Sequence, residues 1–295
     1  MSRGINLVRQ KGCPAGSRHL PSGRCHRCAP RVRSASVGFE VSTEAYGRFM
    51  GRFSDPLAQA FIQFVGIEEG QKALDVGCGA GALTVPLIER LGVANVAALD
   101  PSSAFVSSLR KSHPDWSVRQ GSAESMPFAD EQFDRTLAQL VVHFMTDPVE
   151  GLREMSRVTR PGGVVAASVW DHAGDAGPLA AFWRAARDLD PTVRDESGLP
   201  GVRQGHLESL FEAAGMPGPR STVLRVAIHC QTFDDWWTPF TLGVGPAGEY
   251  VASLAVEDRE RLRLHCFAAM PTAPFTVDGR AWTVCCTKEP SASLT

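Results

Sequence analysis

The chain lacks any run of 18 apolar residues, so no segment of it reads as membrane-spanning. It lacks the spacing of a disulfide framework. Cys78 sits inside a glycine-rich stretch, and Cys230, Cys285 and Cys286 sit in apolar, strand-like runs. Buried free thiols in a reducing, cytoplasmic setting are the simpler reading of the eight cysteines. Acid is missing from residues 1–38, which hold eight Arg or Lys; the first acid is Glu40. Removing those eight positive charges from the net −2 leaves −10 for the remainder. This segment is rich in Gly, Pro and Ser and has no helical or strand periodicity. It reads as a disordered basic tail.

Three sharper readings of the tail compete. An acid-free, Arg- and Ser-rich start could be an organelle transit peptide. A basic arm could touch nucleic acid or an acidic partner. Cys13, Cys25, His26 and Cys28 could hold zinc, but no second closely spaced ligand pair follows, so no metal is expected. The order Cys25-His26-Arg27-Cys28-Ala29 also misses the haem-attachment pattern, which needs His after the second Cys.

From residue 39 to 295 the chain reads as globular. With 43% hydrophobic residues it can bury a sizeable core. Residues 40–50 and 55–65 are expected as helices, with Phe61, Ile62, Phe64 and Val65 on apolar faces. Strands are expected over 72–76, 93–99, 116–119, 133–144 and 164–170. Helices are expected over 83–91, from Pro101 at a first helical position, and over 148–158. Arg160-Pro161-Gly162-Gly163 reads as a turn. Strands alternating with helices, and apolar throughout, indicate a parallel sheet covered on both faces. Two later strands, 222–230 and 275–286, flank helices around 234–241 and 256–270 and are expected to pair antiparallel at one edge. Segments 40–65 and 174–270 would cap the sheet.

In such sheets ligands sit beyond the carboxyl ends of the strands. Four polar positions fall there: Asp75 with Gly77, Gly79 and Gly81; Asp100; Ser122-Ala123-Glu124; and Gln139 to His143. Glycines let a ligand lie against bare backbone, and an acid ending the second strand suits the two hydroxyls of a ribose. The pattern Gly77-x-Gly79-x-x-Ala82 formally meets the dinucleotide fingerprint, with Asp100 about 20 residues on. Asp75 argues against that reading, because a pyrophosphate would face its carboxylate. S-adenosylmethionine instead offers an ammonium for Asp75, a ribose for Asp100 and an adenine for the segment after the third strand.

Five motifs occur in order: LDVGCGAG at 74–81, LDP at 99–101, GSAESMPFAD at 121–130, FD at 133–134 and RVTRPGG at 157–163. Together they resemble the class I S-adenosylmethionine-dependent methyltransferases, in the branch that includes the ubiquinone/menaquinone-biosynthesis enzymes. The resemblance covers residues 45–171 and the final strand. It implies an α/β fold: a Rossmann-like three-layer α/β/α sandwich whose mostly parallel seven-stranded sheet has an antiparallel last strand. It implies that Gly77, Gly79 and Gly81 pass under the methionine and ribose, with Asp75 near the amino-acid end. Asp100 would hold the ribose, Pro101 and Ser102 would line the adenine, and Ala123 would offer its N–H. Gln139 would approach the methionyl group by its carbonyl. The family usually has Asp where Ser122 stands; a hydroxyl also accepts, without charge assistance, and Glu124 could help. Tyr46, Arg48, Met50 and Arg52 resemble residues that close over the cofactor carboxylate.

Methyl transfer by in-line displacement asks the protein mainly for positioning. A hydroxyl acceptor would also need a base. His143 is the best-placed candidate, ahead of His172 and His229; the alternative is a structural histidine. Phe233, Trp236, Trp237, Phe240 and Trp183 read equally as a substrate lid or as core, and Trp282 as core. The expected acceptor is a small molecule, apolar or aromatic. A nucleic-acid or protein methyltransferase is the alternative. Leu140-Val141-Val142-His143-Phe144-Met145 lacks the Asn/Asp-Pro-Pro-aromatic motif of amino-methylating nucleic-acid enzymes, and the acidic remainder disfavours such a partner. A non-catalytic binding protein and a nicotinamide oxidoreductase rank lower.

Overall fold

Gly66, in the left-handed region with φ 72°, ends the first long helix and donates its N–H to the Ile62 carbonyl at 3.1 Å. The computed structural model describes residues 43–289. The basic segment, with Cys13, Cys25, His26 and Cys28, lies outside the described residues. Seven strands form one sheet: β1 (Ala73–Val76), β2 (Val96–Asp100), β3 (Ser117–Gln120), β4 (Phe133–Gln139), β5 (Thr159–Trp170), β6 (Arg220–Cys230) and β7 (Phe275–Thr287). Their spatial order is β3-β2-β1-β4-β5-β7-β6. Pairings from β3 through β5 are parallel, and β7 runs antiparallel to both β5 and β6. The last two strands thus pair antiparallel at one edge, as expected, with β6 outermost and β7 between β5 and β6.

The residues of β1 and β2 are buried throughout, as a sheet covered on both faces requires. Helices α3 (Thr84–Leu91), α4 (Ser103–Ser112) and α5 (Pro148–Val158) follow strands in the alternating part, and α7 (His206–Ala213), which precedes β6, packs against α5. Ser102 is the N-cap of α4 and accepts from the Phe105 N–H at 3.4 Å, so Pro101 stands one residue before the cap and not at the first helical position. Asp147 caps α5 at Glu150, with Pro148 at its start.

Other differences have local causes. The two N-terminal helices are one path: α1 (Thr43–Tyr46), a π-helical turn Gly47–Gly51 and α2 (Arg52–Val65). Residues 93–95 form a 3₁₀ turn ahead of β2. Strand β4 stops at Gln139 because Leu140 adopts φ 63°, and Val142–Phe144 is a 3₁₀ turn. The Arg160–Gly163 segment is an irregularity inside β5, where pairing with β4 slips between Phe133 and Arg135.

Between β5 and β7 lie α6 (Ala180–Leu189), α8 (Phe233–Trp237), α9 (Gly245–Ser253) and α10 (Val256–Ala269). Phe233, Trp236, Trp237 and Phe240 are 7, 1, 4 and 2% exposed. Phe182 stacks on Phe240 with ring centroids 4.4 Å apart. These aromatics are the core of the cap and do not line the pockets described below. Trp183 is buried with them, and Trp282 is half-buried against the sheet. Among the described residues no helix is long and apolar enough to cross a membrane, and five free cysteines, Cys78, Cys230, Cys266, Cys285 and Cys286, are all buried.

Candidate active site

The carboxyl ends of β1, β2 and β4 open onto a cleft of about 240 Å³. Gly77 and Gly79, with φ of 72° and 50°, carry the chain across its floor. A Cβ on Gly79 would meet nothing within 4 Å, so its bare backbone faces open space. A Cβ on Gly77 would press on the Val141 side chain at 2.4 Å. Gly81 does not line this cleft; it packs near Leu109 and Trp116.

Asp100 ends β2 and is 6% exposed. Its two carboxylate oxygens accept from the Gly79 and Ser102 N–H groups, each at 2.8 Å. Burial raises its pKa, against those two hydrogen bonds. Asp75 is 1% exposed and accepts from the Thr84 hydroxyl at 2.6 Å. Burial, with a contribution from Asp100, pushes the Asp75 carboxyl up to about 7. Asp75 borders a small adjoining recess with Tyr46, Ser54 and Gln139.

At the other end stand Pro101, Ser102, Ala123, Ser122 and Glu124. The Ser122 hydroxyl donates to Glu124 at 2.5 Å. The other Glu124 oxygen accepts from the Thr146 and Asp147 N–H groups at 2.8 and 3.3 Å. Burial opposes ionisation of Glu124, but the Ser122 hydroxyl and the backbone donors hold its pKa below the ordinary value. Gln139 donates its amide to the Ser54 carbonyl at 3.0 Å, and its Oε1 is buried without a partner.

Arg52 is placed differently from the sequence expectation. Its guanidinium donates to the Asp235 carbonyl at 2.8 Å, and it does not line the cleft. Arg48 is exposed beside Glu44. Tyr46 does line the cleft; its ring meets Phe105 edge-on at 5.7 Å.

A second, apolar pocket of about 40 Å³ adjoins the cleft and shares Tyr46, Leu140 and Phe144 with it. Phe49, Met50, Trp170 and the segment Val244–Ala247 give it apolar walls. Its ionisable groups, besides the shared Tyr46, are His143, His172 and Glu196. His143 is 4% exposed and its Nδ1 is buried without a partner. Burial, and then His172, lower its pKa well below the ordinary value, so the imidazole is uncharged near neutrality. The two imidazole centroids are 6.0 Å apart. His229 is exposed on β6 and lines neither pocket, which removes it as a candidate. Glu196 carries no sequence signal; it becomes a pocket residue only because the segment after α6 folds back. No group of three or more His, Cys, Asp or Glu among the described residues could hold a metal ion.

The cleft fits S-adenosylmethionine. Among the described residues no lysine or arginine lines it, while carboxylates at Asp75 and Asp100 flank the glycine floor. That charge pattern repels a pyrophosphate and suits an ammonium and ribose hydroxyls. The partnerless Gln139 Oε1 is a free acceptor at the same end.

Comparison with known proteins agrees. The family described as "Methyltransferase domain" matches residues 74–167. The chain is 30% identical over 185 residues to malonyl-[acyl-carrier protein] O-methyltransferase of Pectobacterium atrosepticum, covering 60% of this chain and 68% of that protein. It is 35% identical over 177 residues to an uncharacterised methyltransferase of Mycobacterium tuberculosis, covering 59% and 68%. It is 31% identical over 123 residues to demethylmenaquinone methyltransferase of Paenarthrobacter aurescens, covering 42% and 46%. The fold matches the YcgJ protein of Bacillus subtilis with a TM-score of 0.52 at 18% identity, over 79% of this chain and 98% of that one. With a glycine floor, flanking carboxylates, this sheet order and these relatives, the chain belongs to the class I S-adenosylmethionine-dependent methyltransferases.

Proposed function

We propose that the protein methylates a small-molecule acceptor with an apolar or aromatic body. The observation that carries this is the apolar pocket joined to the cofactor cleft through Tyr46, Leu140 and Phe144. Ligand pockets are mostly apolar with a few placed polar groups. A macromolecular acceptor would call for a basic approach surface, and the chain after residue 38 carries net −10 once the eight tail cations are removed from −2. One relative is named for a malonyl group on a carrier protein and another for demethylmenaquinone; the pocket favours the second kind of acceptor.

In this reading Gly77 and Gly79 pass beneath the cofactor, Asp100 takes the ribose hydroxyls, and Asp75 and Gln139 face its amino-acid end. Pro101, Ser102 and Ala123 line the adenine. Ser122 departs from the usual acid, and Glu124, held by Thr146 and Asp147, supplies the carboxylate beside it. Tyr46 closes the cleft against the acceptor pocket. The cofactor supplies an activated methyl on a neutral leaving group. The residues supply position: His143 contacts the acceptor's nucleophilic atom, and the apolar walls exclude water.

The test is transfer of label from methyl-labelled S-adenosylmethionine in a cell extract. Label is expected in the solvent-extractable small-molecule fraction. Label confined to the protein or nucleic-acid fraction would overturn the reading.

A further inference from the structure

The acceptor pocket contains a buried acid–base pair that the cofactor chemistry does not use. His172 follows β5, and Glu196 lies in a 3₁₀ turn (Glu196–Gly198) after α6. They are 8 and 4% exposed. His172 Nε2 lies 3.8 Å from Glu196 Oε1. The other carboxylate oxygen accepts from the Trp183 indole N–H at 2.9 Å, which fixes the carboxylate. The remaining titratable groups lining this pocket are His143 and Tyr46. A buried carboxylate is favoured when it is hydrogen-bonded and charge-paired; Trp183 supplies the hydrogen bond, and an imidazolium at His172 would supply the opposite charge.

Resting on the methyltransferase reading above, we infer that His172, backed by Glu196, takes the proton of the acceptor, and that the acceptor is therefore an aromatic compound bearing an ionisable hydroxyl. Among the described residues His143 makes no ion pair with a carboxylate, and it orients the same oxygen. His172 faces Glu196, so the pocket's place for a proton is His172. In the step, a lone pair of the phenolic oxygen forms the O–CH₃ bond as the S–CH₃ bond breaks, the electron pair staying on sulfur. The O–H proton passes to His172. The positive charge of the sulfonium thus ends as an imidazolium beside Glu196. The acceptor's apolar body lies against Phe49, Met50 and Trp170, and no counter-ion is needed elsewhere. An amine acceptor would use the pair less, because its lone pair is already the nucleophile at neutral nitrogen. Glu196 is a positioning residue that acts through His172.

The test uses the full chain with three probes of one shape: para-ethylphenol, para-nitrophenol and para-ethylaniline. Glu196→Gln keeps the acceptor atom for Trp183, and His172→Gln is a second variant. Homocysteine-product binding, measured by calorimetry with S-adenosylhomocysteine, should be equal in all three proteins. At mildly alkaline pH both variants should lower kcat for para-ethylphenol by roughly 10- to 100-fold. The loss should fall below roughly threefold for para-nitrophenol, which arrives already ionised and needs no base. Equal losses on both phenols, or no loss on either, would overturn the inference. So would methylation of the aniline alone, or S-adenosylhomocysteine binding with no phenol methylated. Failure of the wild-type chain to bind S-adenosylhomocysteine would instead sink the underlying methyltransferase reading.

Discussion

Asp75 is where one residue carries most meaning. Its carboxyl is buried, has one hydroxyl donor in Thr84, and sits near a second carboxylate. Burial, then Asp100, raises its pKa to about 7 in the folded chain. The sign follows from linkage: the folded state holds a proton that the unfolded state has lost. Stability from this group is complete below the ordinary aspartate range and is lost as pH rises toward about 7. Asp75→Asn should therefore flatten the fall in melting temperature that the wild type shows across that window. An ammonium beside Asp75 favours the ionised form, so S-adenosylhomocysteine binding should release a proton on the acid side of that value. Calorimetry in two buffers of different ionisation enthalpy should detect it in the wild type and not in Asp75→Asn. Identical pH profiles for the two proteins would refute the assignment. Asp75, Asp100, Gly77 and Gly79 were legible as neighbours of one site because they follow from spacing along one strand–turn–helix unit, whereas Gly81 packs against Leu109 and Trp116 outside the cleft. Arg52 was not, because a helix face does not state its partner: the Asp235 carbonyl comes from a segment 183 residues away.

At the scale of the element, the glycine turn separates folding from binding. Gly77 is enclosed: an added Cβ would meet both γ-carbons of Val141, at 2.4 and 2.6 Å. Val is stiff at χ1, so Gly77→Ala should destabilise the fold by about 1–3 kcal/mol. Gly79 is open, with nothing within 4 Å. Gly79→Ala should cost only about 1 kcal/mol of stability for its positive φ, yet reduce cofactor affinity, because the new methyl enters the cleft. Paired thermal melts and calorimetry check this, and equal effects of the two changes on both quantities would contradict it. Strand and helix cores were legible from apolar runs. Their ends were less so. Apolar residues continue past Gln139 to Phe144, so composition alone extends the strand, whereas Leu140 turns the backbone out of the sheet at φ 63°. That turn delivers His143 to the pocket. Ser102, not Pro101, caps α4, because its hydroxyl can accept from the helix's first N–H groups and a proline ring cannot.

For the whole molecule, the sequence announced an α/β sheet with a late antiparallel strand, but not that β7 inserts between β5 and β6. Insertion follows from pairings of high sequence separation, such as Trp170 with Ala281 and Leu224 with Ala281, which no local pattern encodes. The aromatic-rich region 233–240 was balanced between lid and core. Its burial makes it the core on which the cap is built, while the pocket walls come from Phe49, Met50, Trp170 and Val244–Ala247. The acceptor pocket was the least legible part, since His172 and Glu196 meet only where the segment after α6 folds back. The central claim is that the cleft between β1 and β2 holds S-adenosylmethionine and not a pyrophosphate cofactor. Calorimetry of the full chain against S-adenosylmethionine, S-adenosylhomocysteine and NAD tests it directly. Saturable binding of the first two is predicted, weakened by about 1–3 kcal/mol in Asp100→Ala, with no heat from NAD; binding of NAD alone, or an unchanged Asp100→Ala, would contradict it.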